Sequence, residues 1–178
     1  NFKTVDDRRI SQLNFENVGI NADQIVATGD EAEQLIKDAI NYGTLCVSAE
    51  AVGCMESCYL KTVEYTKSRE QFGQPISNFQ VLQHKMVDMF IEAELCKSLL
   101  YKSMIDMHEN NDSKYRSVSA LKSQVGLSGK KVGEDAVQLH GGMGVSEEMS
   151  IGHYLKRFIS IDSQFGNSHF HLKKFNNS

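Results

Sequence analysis

A single proline interrupts 178 residues. Pro75 lies in the stretch Arg69-Glu70-Gln71-Phe72-Gly73-Gln74-Pro75-Ile76-Ser77-Asn78-Phe79-Gln80, between two long patterns of helical periodicity. Proline fixes φ and donates no backbone hydrogen bond, while glycine opens conformations closed to other residues. The turn therefore has a defined geometry, with Arg69 leaving one helix and Gln80 entering the next. Such a turn can aim a guanidinium, an aromatic ring and two amides at one place. It can equally be a plain helix-to-helix corner with solvated polar groups.

The pattern after the turn is the clearest in the chain. Leu82, Met86, Met89, Ala93, Cys96, Leu100, Ser103 and Met107 alternate spacings of four and three, one seam of a helix over about residues 78–109. Before the turn, a helical pattern covers about residues 31–68, with Glu31 and Glu33 where the helix dipole favours negative charge. A bend is expected near Asn41-Tyr42-Gly43. A third helix is predicted over about residues 113–139, with Val118, Leu121, Val125, Val132, Ala136 and Leu139 on its apolar side. Gly126, Gly129 and Gly133 form a second stripe on it. Each glycine costs a helix about 1 kcal/mol relative to alanine, so the stripe predicts close approach of another backbone or of a ligand. His140-Gly141-Gly142-Met143-Gly144 ends this helix. Two shorter helices are expected over about residues 147–160 and 162–175, with Gly166 between or inside them.

Residues 1–28 read differently. Residues 9–18 alternate polar and apolar side chains, the period of a half-buried strand. Gly19, Asn21 and Asp23 then supply turn chemistry before Ile25-Val26-Ala27. One or two strands cannot bury a face alone, so this segment reads as the end of a β domain whose other strands lie elsewhere. The first residues begin in mid-pattern without a methionine, as a fragment would. The expected fold is mainly α: an up-down bundle of three long and one or two short helices over residues 29–178, preceded by a short β remnant over residues 1–28.

Composition excludes several classes. A net charge of −4 gives no electrostatic footprint for nucleic acid. No apolar run is long enough to span a membrane, and nothing resembles a signal peptide. Cys46, Cys54, Cys58 and Cys96 lie in helical patterns without zinc or redox spacing, which points to free buried thiols in a reducing, cytoplasmic compartment. His169 and His171 are two residues apart with no partner one turn away, so no metal site is expected. No cysteine or serine sits in a nucleophile elbow.

Arg69-x-x-Phe72-Gly73-x-Pro75 with Phe79-Gln80, followed by Val137-Gln138-Leu139-His140-Gly141-Gly142-Met143-Gly144, resembles the C-terminal helical domain of acyl-CoA dehydrogenases. The resemblance covers nearly the whole chain. It implies FAD as cofactor, with Arg69 and Gln71 toward the flavin diphosphate of a neighbouring subunit. It further implies Phe72 near the flavin, Gln80 at the adenine end, and Gln138, Leu139, His140, Gly141 and Gly142 against the dinucleotide. A guanidinium's fixed fork of donors matches phosphate oxygens. The implied reaction is α,β-dehydrogenation of an acyl-CoA thioester, in a homodimer or tetramer.

That reaction needs a base. The family places a glutamate just before a glycine in the last helical segment, or in a second lineage on the first long helix. Those positions correspond here to Gly166 and Gly43, and glycine cannot abstract a proton. Asp162, four residues before Gly166, would share its face on a continuous helix and is the candidate substitute. An N-cap or surface ion pair explains it as well. Glu50 is a second carboxylate, equally explained as an exposed helix residue. Alternatively, Ile161-Asp162-x-x-Phe165-Gly166-Asn167 resembles the small subunits of pimeloyl-CoA-type dehydrogenases, which implies a base-less subunit of a heteromer. An unrelated helical interaction module is the third reading. The isolated chain is expected to be inactive and to self-associate.

Overall fold

With one proline to break them, the apolar seams are free to run as long helices. The structure, a computed structural model that describes residues 1–177, has five helices. They are α1 (Gly29–Ser68), α2 (Gln80–His108), α3 (Lys114–His140), α4 (Ser150–Ser163) and α5 (Ser168–Asn176). The first three form an up-down bundle. Helix α3 is central and packs against each of the other four.

The α2 seam is buried as its spacing predicts: Met89, Ala93, Cys96, Leu100, Ser103 and Met107 are inside, and Leu82 and Met86 pack at the edge. They meet Met55 and Cys58 of α1, Leu121, Val125, Val132 and Ala136 of α3, and Ile151, Phe158 and Ile161 of α4. Each fully buried aliphatic or aromatic side chain contributes about 1.5–3 kcal/mol. The glycine stripe on α3 admits α4. A Cβ on Gly129 would lie 3.1 Å from the Phe158 ring, and one on Gly133 would lie 2.9 Å from Leu155.

No break falls at residues 41–43, and α1 runs as one helix of 40 residues, about 60 Å. The Asn41 side chain does not compete for a turn; its amide donates to the Lys37 carbonyl one turn back (2.7 Å). Gly43 serves a tertiary contact instead of a kink. The final helices also differ from the expected bounds. Phe165 (φ +57°) and Gly166 (φ +99°) turn the chain between α4 and α5, and the Asn167 side chain caps α5 by accepting the Phe170 N–H (2.9 Å).

The expected strand over residues 9–18 shrinks to a two-residue ladder, β1 (Phe2–Lys3) with β2 (Arg9–Ile10). Residues 11–20 are exposed and unpaired in any sheet, and residues 25–27 form no strand. Alternation specifies a face, but a ladder needs a neighbour, and these residues meet none among the described ones. The N-terminal loop is nevertheless anchored. Arg157 of α4 holds Glu50 of α1 through Nε (2.7 Å) and Nη2 (2.6 Å), and holds Asp6 through Nη1 (2.7 Å). Burial works to raise the Asp6 pKa. Hydrogen bonds from Thr4, Arg157 and Ser160 outweigh it and leave the carboxyl at about 2.

Candidate functional site

The chain corner at Pro75 folds as a hairpin. Strands β3 (Glu70–Gln71) and β4 (Gln74–Pro75) pair antiparallel, and Phe72 and Gly73 take φ of 55° and 80°. Two central residues with positive φ make the turn whose twist suits a two-residue hairpin. Phe72, at the tip, is 91% exposed, and its ring meets that of Phe79 edge to face (centroids 6.1 Å). Arg69, Gln71 and Gln80 are exposed beside it.

The up-down topology brings the second motif to the same end. Helix α1 ends there, α2 begins there and α3 ends there. Tyr65, one turn before Arg69, stacks on His140 (centroids 4.1 Å, 22° between planes), and its hydroxyl donates to the His140 carbonyl (3.4 Å). Lys85 of α2 pairs with Asp135 of α3 beside them. His140 is buried, with Nδ1 2.8 Å from the Ala136 carbonyl; burial lowers its pKa, and Nε2 has no partner. Past it, Gly141 adopts φ +59°, and a Cβ on Gly141 or Gly142 would meet nothing within 4 Å. The space above both glycines is thus open, as close approach of a diphosphate or flat ring requires, while the Gly141 N–H itself donates to the Gln138 carbonyl. Gln138 is exposed here too, whereas the Leu139 side chain is in the core. Leu139 and His140 can face a ligand through their backbone, not their side chains. The residues present fit a dinucleotide: an exposed guanidinium, an unobstructed glycine pair and an exposed ring at one end of the bundle.

The other region lies far along α1. Gly43 is 26 positions before Arg69, about 39 Å at helical rise. A Cβ on Gly43 would lie 2.6 Å from the Phe165 ring, so the turn after α4 sits on this glycine. Gly166 is next to it, and a Cβ there would lie 2.5 Å from the Phe170 ring. The two glycines at the base positions, on separate helical segments, therefore converge. Gly166 lines a cleft of about 560 Å³ between α1 and α5, together with Ile36, Ile40, Phe165, Phe170 and the charged Glu33, Lys37 and Lys174, while Gly43 lies against the Phe165 ring.

Asp162 is not placed as the sequence suggested. Helix α4 stops at Ser163, so no continuous helix carries Asp162 and Gly166 on one face. Its Oδ1 accepts the Ser168 N–H (2.9 Å) at the start of α5 and fills the space above Gly126. Glu50 is not a freely exposed residue either. The Arg157 guanidinium holds its pKa below the usual range, and Arg8 adds a contact at 3.1 Å. Glu33 also lines the cleft, but stands ten positions from Gly43, about 15 Å along the helix.

Two groups behind the cleft were not anticipated. Lys122 is wholly buried and donates to the carbonyls of Asp162 and Gly166, 2.9 Å each. Burial pushes its pKa down to about 8. His171, also buried, has Nε2 3.0 Å from the Phe165 carbonyl. A signal existed for Lys122, which shares a helical face with Val118 and Val125 at spacings of four and three.

Comparison with known proteins agrees with this geometry. The family model for the acyl-CoA dehydrogenase C-terminal domain matches residues 34–173. A short-chain-specific acyl-CoA dehydrogenase of Megasphaera elsdenii is 29% identical over 147 residues, 82% of this chain and 38% of the relative. Among solved structures, PigA with FAD and proline aligns with a TM-score of 0.75 at 25% identity, over 79% of this chain and 37% of that one. The ChsE4–ChsE5 complex of Mycobacterium tuberculosis shares the fold with a TM-score of 0.89 at 23% identity, over 99% of this chain and 47% of that one. The chain spans less than half the length of the relatives it matches. With the matched region, the two helix-end motifs and the bundle in agreement, the chain belongs to the acyl-CoA dehydrogenase family and corresponds to its C-terminal domain.

Proposed function

We propose that this chain is the C-terminal domain of a flavin-dependent acyl-CoA dehydrogenase and lends its Arg69 and Gly141 end to FAD. One observation carries this reading: the Tyr65–His140 stack joins the two motifs at one end of the bundle. Arg69 and Gln71 would face the diphosphate, the open Gly141–Gly142 segment would approach the dinucleotide, and the Phe72 ring would pack against it. When bound, the flavin would accept the hydride that leaves the β carbon of an acyl-CoA.

The separation of about 39 Å between this end and the Gly43–Gly166 cleft bears on assembly. The span is too long for one dinucleotide to serve both regions of a single chain. The Arg69 end then serves the flavin of a neighbouring chain, in a homodimer, a tetramer or a heteromer. Exposed Val87, Ile91 and Leu95, spaced by four on α2, supply an apolar stripe on which such an assembly can form. Residues 1–28 fit the edge of a preceding β domain, since their apolar side chains are exposed here. Four free cysteines fit a reducing, cytoplasmic setting.

A second reading is favoured by the glycines at both base positions. Among the described residues no carboxylate stands at Gly43 and Gly166, and both Asp162 and Glu50 are engaged elsewhere. On this reading the protein is a base-less subunit that completes a partner's FAD site. The test is to purify the full-length protein, alone and with any co-purifying subunit. Flavin absorbance and acyl-CoA oxidation with an artificial acceptor are then measured. Flavin with turnover by the lone protein supports the first reading, and flavin with turnover only in the complex supports the second. Absence of flavin in both preparations contradicts each.

A further inference from the structure

Phe165 is a bulky residue in the left-handed region, at φ +57°, which such residues rarely occupy unless their surroundings hold them there. The surroundings here are unusually well built. His171, 2% exposed, bonds the Phe165 carbonyl at 3.0 Å. Lys122, 0% exposed, bonds the carbonyls of Asp162 and Gly166 on either side at 2.9 Å. Asp162 in turn accepts the Ser168 N–H, which fixes where α5 begins. Two buried polar side chains and the half-buried Asp162, from three helices, thus pin the turn over residues 164–167.

What the turn presents is the Phe165 ring. Its edge rests on Gly43, where a single added carbon would lie 2.6–3.2 Å from three ring atoms. The ring is also 45% exposed, toward the cleft that Ile36, Ile40 and Phe170 wall. The cleft is largely apolar, the lining that suits an acyl or aryl chain, and Glu33, Lys37 and Lys174 bring charge of both signs to it. These bonds fix the backbone of the turn, and Gly43 backs the ring on one side, so the ring stands at a defined place on the cleft wall.

We propose that the Phe165 ring sets the size of the acyl group admitted to the cleft between α1 and α5. The inference rests on the family reading above and adds to it a determinant of specificity. Phe165 acts by steric exclusion and takes no part in proton transfer.

The experiment uses full-length holoprotein, with its partner subunit if one co-purifies, and measures Kd by calorimetry for butyryl-CoA, octanoyl-CoA and 3-phenylpropionyl-CoA. Flavin content and melting temperature are recorded for each variant. Phe165→Ala is expected to improve binding of 3-phenylpropionyl-CoA relative to butyryl-CoA by about tenfold or more, with flavin content unchanged. Phe165→Leu is expected to give a smaller change in the same direction, and decides the matter should the alanine variant fail to fold. An unchanged affinity ratio with flavin retained overturns the proposal. So does a flavin-loaded protein that binds none of the three thioesters, a result that leaves the FAD reading standing. A protein with neither flavin nor thioester binding overturns both.

Discussion

Lys122→Met isolates the buried amine behind the cleft, and its effect depends on pH in a direction opposite to intuition. Holding an ammonium with its pKa moved from 10.5 to about 8 costs the folded state about 3 kcal/mol at neutral pH. The unfolded chain keeps its proton up to pH 10.5, whereas the folded chain releases it near 8. Between those values the unfolded state binds more protons, so this group makes stability rise with pH by about 1.4 kcal/mol per unit. The neutral amine still has two hydrogens for the Asp162 and Gly166 carbonyls. Methionine fills similar space but leaves both carbonyls unpaired, at about 1–3 kcal/mol each. At pH 7 that loss is offset by relief of the buried charge, and the variant lies between about 1 kcal/mol more stable and about 3 kcal/mol less stable than the parent. By pH 10 the deficit is expected to grow by about 3 kcal/mol. Urea unfolding followed by circular dichroism at pH 7, 8, 9 and 10 measures it for parent and variant together, which cancels the titration of the buried thiols Cys58 and Cys96. A deficit that stays constant across this range would refute the placement of a charged Lys122 in the core.

Gly126→Ala is expected to destabilise by about 1–3 kcal/mol despite alanine's higher helix propensity, because its Cβ would strike the Asp162 carboxylate. Gly53→Ala, with nothing within 4 Å, is the control and is expected to stabilise by about 0.5–1 kcal/mol; thermal melts of both check the pair. Asp6, held at about 2, contributes stability that is present above its ordinary 3.8 and lost as pH falls toward 2, about 2 kcal/mol. Arg157→Leu should remove part of that acid-dependent share and leave the part held by Thr4 and Ser160, read as a flatter unfolding midpoint between pH 5 and 2. Phe72→Gly relieves a positive φ at an exposed hairpin tip, so stability should change by no more than about 1 kcal/mol while FAD content of the full-length protein falls.

Much of this was legible in the residues. The α2 seam, the glycine stripe and the His140-Gly141-Gly142 stop gave three long helices with nearly correct ends, because periodicity reports which face is buried. Gly43 was misread as a bend because propensity alone does not reveal that an aromatic ring 122 positions later needs the space. Asp162 was put on one helix with Gly166 for a similar reason: α4 ends at Ser163 with Gln164 extended and Phe165 at positive φ beyond it, and no local rule predicts that turn at these residues. The strand over residues 9–18 had the right alternation and no partner to pair with. Glu50 looked like a surface residue because its partner, Arg157, lies 107 positions away.

The most direct test of the account is FAD affinity of the full-length protein after Arg69→Ala, measured by quenching of flavin fluorescence. A charge-assisted contact to the diphosphate is worth about 1.5–3 kcal/mol, so Kd should rise by about tenfold to a hundredfold. Since Arg69 is exposed, its removal should leave the fold intact. A well-folded Arg69→Ala protein that binds FAD as tightly as the parent would contradict the claim that this end of the bundle receives the cofactor.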